Sequence, residues 1–289
     1  MMRNMAIAVV SLMSVPLFAA PILQMDFNDQ SGSQSLVNRG SATATATFSG
    51  NAAYTSSAAP PNGGGFAGSF DGSDGGADFS QNFSQFHNLN NLTVTAWVNL
   101  DNTTFSSTRR IVDGADVIAA GNAPGFELLI QDTGQGNNIS FRRNAGTVAS
   151  DTLAVDPGDG WTFVAAVFSS GQDVDFYTST TAGNVGTADT ESFSGSEALG
   201  TTSENLVIGR TNSAYFINRN DQRVFPGLID NVRIYDSALT ETELNAISLF
   251  NDIPEPSTGL LLLGLTSTLM LRRNKLDSTY THRTEPCRN

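Results

Sequence analysis

The chain has almost no cysteine: Cys287 is the only one among its 289 residues, and it lies close to the C-terminus. The stretch from Pro21 to Asp252, which we expect to fold, therefore cannot form an internal disulfide. His87 is the only histidine of this stretch, so a zinc site of the cysteine and histidine kind is excluded. A Ser-His-Asp triad would also depend on this one residue. Stability must come from a hydrophobic core, which about 230 residues are long enough to build.

Lysine is also absent between Pro21 and Asp252. This stretch holds nine arginines and twenty-five aspartates or glutamates, a formal charge of −16. Such a surface repels nucleic acid and anionic lipid, so we expect no nucleic-acid partner. It favours divalent cations or neutral polymers, and the alternative is simply a soluble surface of a secreted protein.

The N-terminus carries the pattern of a secretory signal. Residues 1–20 contain one cation, Arg3, then an apolar stretch up to Phe18, and end in Ala19 and Ala20. These are the charged, hydrophobic and small-residue regions of a signal peptide. We therefore expect the domain at residues 21–252 to be exported.

The C-terminus carries a second hydrophobic segment. Pro254, Glu255 and Pro256 precede the uncharged, leucine-rich residues 257–271, which Arg272 and Arg273 end. The order resembles the PEP-CTERM sorting tail of exported bacterial proteins. The resemblance implies recognition by an exosortase-type membrane protease, with a sorting signal at 253–275 and a polar tail at 276–289. It implies a place at the cell envelope, the outer surface or the extracellular matrix. The alternative is an ordinary membrane anchor, for which this segment is short, since a span needs about 20 residues.

Between these ends the chain reads as short strands joined by turns, which predicts an all-β sandwich. Residues 92–100 give the clearest strand, with Leu92 and every second residue after it on one apolar face and Trp97 on the other. Residues 161–168 are apolar on both faces, so we expect this strand in the middle of a covered sheet. One short helix is indicated by the capping box of Thr240 and Glu243, followed by Leu244, Ile247 and Leu249.

Several segments, in order, resemble the LamG-like (concanavalin A-like) jelly-roll domain: residues 68–72, 92–98, 161–167, 206–209 and, most specifically, 225–240. The resemblance covers residues 22–247. It implies two facing antiparallel sheets of about six or seven strands each, one of them concave.

The same resemblance implies a structural calcium ion. Matching positions nominate Asp26, Asp230, and Asp71 or the carbonyl of Gly72. Calcium takes six to eight oxygen ligands, which carboxylates and turn carbonyls supply. The alternative for Asp230 is a salt bridge, for instance to Arg233, or exposure on a polar face.

Aromatic residues are the candidates for ligand binding. Trp97 could stack against sugar rings, unless a loop or the other sheet covers it. Tyr54, Tyr215 and Phe216 lie in segments expected to be loops and are equally plausible sugar contacts.

No arrangement of acidic residues indicates catalysis. A Glu-x-Asp-x-x-Glu run is missing, Asp173 and Asp175 lack a third acid, and Glu127 stands alone. The pairs at residues 109–110 and 142–143 are expected to be solvated arginines or internal charge partners. We therefore expect a non-catalytic exported module that binds glycan or matrix polymer, or has a structural adhesion role. The alternative is a divergent glycoside hydrolase or lyase on the same fold.

Overall fold

The computed structural model describes residues 19–28, 34–56, 60, 65–101, 108–115, 124–132, 136–144, 146–212 and 223–249. Residues 20–253 belong to one compact unit. The predicted sorting signal, Tyr215 and Phe216 lie outside the described residues, as does all of the predicted signal peptide except Ala19 and Ala20. Among the described residues, no helix is long and apolar enough to cross a membrane.

The described residues form mostly strands, with one short 3-10 turn at Ser84–Phe86. The only α-helix among them is α1 (Glu241–Leu249). The strands are β1 (Leu23–Met25), β2 (Ser35–Val37), β3 (Thr45–Ser49), β4 (Ala53–Thr55), β5 (Ala67–Asp71), β6 (Gly76–Phe79), β7 (Leu92–Leu100), β8 (Arg109–Asp113), β9 (Phe126–Asp132), β10 (Asn137–Arg143), β11 (Gly146–Ala154), β12 (Trp161–Ser169), β13 (Asp173–Ser179), β14 (Asp189–Ser192), β15 (Val207–Ile208) and β16 (Pro226–Tyr235).

These strands make two antiparallel sheets. The first sheet runs β14-β13-β12-β7-β16-β5-β4, with β1 also paired to β16, and the second runs β11-β10-β9-β8-β15-β6-β3-β2. The predicted all-β jelly-roll sandwich is confirmed. Each sheet has eight strands within the described residues, more than the six or seven expected. The additional strands are hard to recognise because β2, β4 and β14 have only three or four residues and the apolar residues of β11 do not alternate regularly with polar ones.

The core lies between the facing sides of the two sheets. The apolar face of β7 that begins at Leu92 enters this core as predicted, and Ala46 and Phe48 of β3 also belong to the core. β12 pairs with β7 on one side and β13 on the other, and Thr162–Phe168 are buried, which confirms its central position. Phenylalanine rings stack through the middle of the sandwich, as Phe141 does with Phe126 and Phe168.

The outer face of the first sheet is covered by the chain that follows β16. The Thr93 hydroxyl donates to the Ser237 carbonyl at 2.7 Å and accepts from the Leu239 N–H at 3.0 Å. α1 then begins at the predicted capping box, in which the Thr240 N–H donates to Glu243 at 2.8 Å.

α1 packs by Leu244 and Ile247, which are both buried. Leu249, expected on the same apolar face, is 40% exposed instead, because the buried face of the helix consists of Leu244, Ile247 and Ser248 and Leu249 lies off it. The Asn245 side chain accepts from the Val185 N–H, and Ser248 accepts from the Gly183 N–H, so the helix is also bound to the loop after β13. The first sheet is thus buried on both sides.

Candidate functional site

The predicted calcium ligands separate into two places. Asp26 directly follows β1, and Asp230 lies in β16 between the part paired with β5 and the part paired with β1. Asp71 pairs with Pro226, four residues before Asp230, which puts it about 13 Å away along the strand. Asp71 and Gly72 therefore do not join Asp26 and Asp230, because the register of β5 holds them at the other end of β16.

Asp230 is a fully buried carboxylate with an unsatisfied oxygen. Its Oδ1 accepts from the Asn231 N–H at 2.7 Å, whereas its Oδ2 has no hydrogen-bond partner among the described residues. Burial raises the pKa of Asp230 well above the usual value, and the charge of Asp26 raises it further. Asp26 itself pairs with Arg39 at 2.7 Å. No group of three or more acidic, histidine or cysteine side chains suited to a metal occurs in the part of the chain that is described.

Asp71 has a local role in the turn after β5. Its carboxylate accepts from Ser73 and Asn51 side chains and from the backbone of Ser73 and Asp74. These hydrogen bonds lower its pKa to about 2, although its partial burial acts in the opposite direction and is the largest single influence.

Trp97 and Tyr54 are the predicted aromatic contacts that lie within the described residues, and both are held by contacts inside the domain. Trp97 is only 2% exposed and packs edge-on against Phe163, at 5.6 Å between ring centroids. It lies on the outer face of the first sheet, as its strand pattern indicates, but that face is buried and the ring offers no stacking platform. Tyr54 is half-buried in β4, where its hydroxyl donates to the Ser35 carbonyl at 3.2 Å and its ring contacts Phe48.

Polar side chains collect instead on the outer face of the second sheet. A bulge in β8 lets Ile111 and Val112 both enter the core, so Arg110 and Asp113 both point outward. Without the bulge, side chains would alternate strictly along β8, and those of Arg110 and Val112 would lie on the same face of the sheet.

Arg110, Glu127 and Arg142 form an ion cluster on this face. Arg110 Nη2 lies 2.8 Å from Glu127 Oε2, and Arg142 Nη1 lies 2.7 Å from Glu127 Oε1. All three side chains are buried, and Arg142 Nε also donates to the Asn144 carbonyl. The arginines at 110 and 142 are therefore internal charge partners, one of the two roles expected for these basic pairs.

The ion cluster lines a cleft with a cavity of about 150 Å³. Its other walls are the side chains of four polar residues and one leucine that surround the cluster. They are Thr108, Leu129, Gln131, Thr147 and Arg223.

Glu127 has an acidic neighbour that the sequence did not suggest. Asp113 lies directly opposite it across β8 and β9, so Glu127 does not stand alone. Asp113 is fully buried and accepts from the Thr211 hydroxyl at 2.9 Å and from the Asn212 and Ala115 N–H groups. Burial, together with the charge of Glu127, raises the pKa of Asp113 to about 7.

The raised pKa of Asp113 predicts a pH-dependent stability. Burial opposes the ionisation of Asp113 in the folded state. The contribution of this residue to the free energy of unfolding is therefore complete below about pH 4 and is lost as pH rises through about 7. Relative to the wild type, Asp113→Asn should gain stability between pH 5 and pH 8, by about 2.7 kcal/mol. Urea denaturation of both proteins at the two pH values measures the change.

Asp71→Asn is the matched control. The pKa of Asp71 is lowered to about 2, so its contribution is constant over pH 5–8 and is lost only at lower pH. If the difference between Asp113→Asn and the wild type were as constant as that of the control, Asp113 would not titrate as described.

A comparison with known protein families identifies the family to which the chain is similar. The family model for the concanavalin A-like lectin/glucanases superfamily, of the laminin G type, matches residues 71–245. No curated protein matches significantly.

Solved structures share the sandwich at low sequence identity. Domain 4 of an extracellular arabinanase from Geobacillus stearothermophilus, in complex with arabinotriose, is 18% identical with a TM-score of 0.53, over 80% of this chain and 98% of that one. The receptor-binding domain of botulinum neurotoxin mosaic serotype C/D is 14% identical with a TM-score of 0.52, over 79% of this chain and 50% of that one. Trypanosoma rangeli sialidase, in complex with the inhibitor DANA, is 15% identical with a TM-score of 0.52, over 82% of this chain and 34% of that one. At these identities the likeness concerns the fold. Since the family model matches more than half of the chain, the chain belongs to the concanavalin A-like lectin/glucanase superfamily.

Proposed function

We propose that this protein is an exported, non-catalytic domain that binds glycan or another matrix polymer at the bacterial envelope or in the extracellular matrix. The cleft at Arg110, Glu127 and Arg142 carries the proposal. It combines charged and neutral hydrogen-bonding groups with a cavity of about 150 Å³, and these donors and acceptors can bind the hydroxyl groups of a ligand, which both donate and accept hydrogen bonds. If the domain binds no ligand, its proposed function is a purely structural role in adhesion.

The position of the cleft supports this choice. α1 and the preceding residues bury the outer face of the first sheet, whereas the cleft lies on the outer face of the second. Thr147, at its edge, is exposed. By analogy of fold alone, the matched arabinanase domain, which holds arabinotriose, gives a precedent for a saccharide ligand.

The competing function is glycoside hydrolysis by Asp113 and Glu127. Residues directly opposite in antiparallel strands have Cβ atoms about 5 Å apart, a spacing that a pair of catalytic carboxylates could use. Both oxygens of Glu127 contact arginines, however, and Asp113 accepts from Thr211, Asn212 and Ala115. Both carboxylates are thus engaged by neighbouring groups, and Asp113 does not line the cleft, which favours binding without catalysis.

Blocking the cleft tests the binding function. In Thr147→Trp the indole should fill the cleft and reduce glycan binding by at least tenfold, measured on a glycan array and with exopolysaccharide from the source organism. Thr47→Trp is the matched control, since Thr47 is an exposed threonine on the outer face of the same sheet, opposite Asp78 and outside the cleft. Equal binding by the two variants would place the ligand elsewhere. Absence of binding by the wild type to every glycan would leave only the structural role, and release of reducing sugar would favour the hydrolase.

We also propose that a structural calcium ion binds between Asp26 and Asp230. The buried, unpartnered Oδ2 of Asp230 fits a cation, and a second carboxylate lies near it. A bound ion would neutralise the negative charge that burial makes costly. Backbone carbonyls or water would have to complete the coordination.

A chelator tests the calcium site. EDTA should lower the melting temperature of the full-length chain, calcium should restore it, and Asp230→Asn should remove this dependence. Asp71→Asn should retain it, because Asp71 lies at the other end of β16. A melting temperature unchanged by EDTA would refute the proposal. If the melting temperature of Asp71→Asn no longer depended on calcium, Asp71 would be a calcium ligand, as the family resemblance implies.

Export and sorting are proposed from the two ends of the sequence. We propose that the signal peptide at residues 1–20 is removed and that an exosortase-type protease recognises Pro254, Glu255 and Pro256. Mass analysis of the secreted protein should then give a C-terminus near Pro254. An intact chain recovered from the cytosol would contradict both steps.

A further inference from the structure

The ion cluster in the cleft carries an excess of positive charge. Arg110 and Arg142 share a single carboxylate, that of Glu127, and all three side chains are buried. An uncompensated buried charge is costly. Asp113 lies beside Glu127 but does not line the cleft, and its burial raises its pKa and so opposes its ionisation.

A third guanidinium lies at the edge of the cleft. The Thr108 hydroxyl accepts from Arg110 Nη1 and, at 2.9 Å, from Arg223 Nη1. The backbone N–H of Arg110 also donates to the Arg223 carbonyl at 3.1 Å. Three arginines and a single carboxylate, that of Glu127, therefore line the cleft, so its lining is positive although the folded domain as a whole is strongly negative.

Some hydrogen-bond donors of the cluster have no acceptor. Within the described residues, Arg142 Nη2 and Arg110 Nε are buried without a hydrogen-bond partner. A buried donor without an acceptor costs about 1–3 kcal/mol, and more when it is charged. An anion in the cleft would supply acceptors and compensate the charge at the same time.

The size of the cleft and the charge of the domain restrict the anion. A cavity of about 150 Å³ has the volume of roughly five waters, enough for a carboxylate and part of a sugar ring. A carboxylate also matches the planar fork of a guanidinium. The charge of −16 on residues 21–252 repels a densely charged polyanion, so the acidic group should belong to a sparsely charged polymer.

We infer that the cleft binds the carboxylate of a uronic acid residue within an otherwise neutral polysaccharide, with Arg110, Arg142 and Arg223 as its cationic contacts. This inference rests on the glycan-binding function proposed above and specifies the class of sugar. Gln131 and Thr147 are the neutral polar groups near enough to contact hydroxyls of the same residue.

Matched sugars test this inference on the full-length chain. D-galacturonate and D-galactose differ in carrying a carboxylate or a CH₂OH group at C6, and acetate presents a carboxylate without a sugar. Calorimetric or NMR titration should show galacturonate binding at least tenfold more tightly than either of the other probes. Arg223→Gln should weaken galacturonate binding about tenfold, since a hydrogen bond to a charged group is lost.

Arg210→Gln is the matched control for charge. Arg210 pairs with Asp78, on the outer face of the same sheet but outside the cleft, so its loss should change galacturonate binding less than twofold. Arg142→Lys, which keeps the charge of the cluster but loses the planar fork, should also weaken binding. Its unfolding curve, beside that of Arg223→Gln, separates loss of binding from loss of folding.

The possible results distinguish failure of the uronic acid inference from failure of the proposed glycan-binding function. Equal binding of galacturonate and galactose overturns the inference and leaves glycan binding standing. Acetate binding as tightly as galacturonate overturns it too, since the cleft would then be a simple anion site. Equal losses in Arg223→Gln and Arg210→Gln would show that the ligand is not in the cleft. Failure of every saccharide, including those of the array, removes both proposals.

Discussion

The pairing of β16 with three other strands holds the first sheet together. Its ten residues, Pro226–Tyr235, pair with β7 on one side and with β5 and then β1 on the other. Its register places Asp230 where the neighbouring strand changes, so that Asp26 lies nearby. The chain that leaves β16 then crosses the outer face of the sheet and bonds to Thr93. With no cysteine before Cys287, these noncovalent contacts replace the covalent links that many exported domains use.

Because the first sheet is covered on both faces, aromatic side chains on its outer face are buried. Trp97, Phe163 and Tyr235 become part of a second buried layer beneath α1 and the preceding residues. Aromatic side chains that a strand pattern assigns to an outer face are therefore unavailable to a ligand. The proposed function therefore assigns ligand binding to the second sheet, where the cleft is polar and is built from charged residues rather than aromatic rings.

The cleft opposes the general charge of the domain. A surface of −16 disfavours anions at long range, whereas Arg110 and Arg142 attract them at contact distance, where burial reduces screening. Under the proposed function, such an arrangement would select against nucleic acid and densely charged polymers and still accept one carboxylate. Average charge alone pointed to neutral polymers or divalent cations, because it cannot show where the few arginines converge.

The sequence by itself determined the all-β sandwich, the core face of β7, the central position of β12 and the capped helix, because alternation and capping are local patterns. Family resemblance nominated Asp26, Asp230, and Asp71 or Gly72 together as calcium ligands. Only the tertiary structure decided that Trp97 is covered, that Asp71 lies apart and that Glu127 meets Asp113 and two arginines. Those outcomes depend on strand register, on a bulge at Ile111 and on what packs over each sheet, and contacts between residues far apart in the chain leave no local pattern.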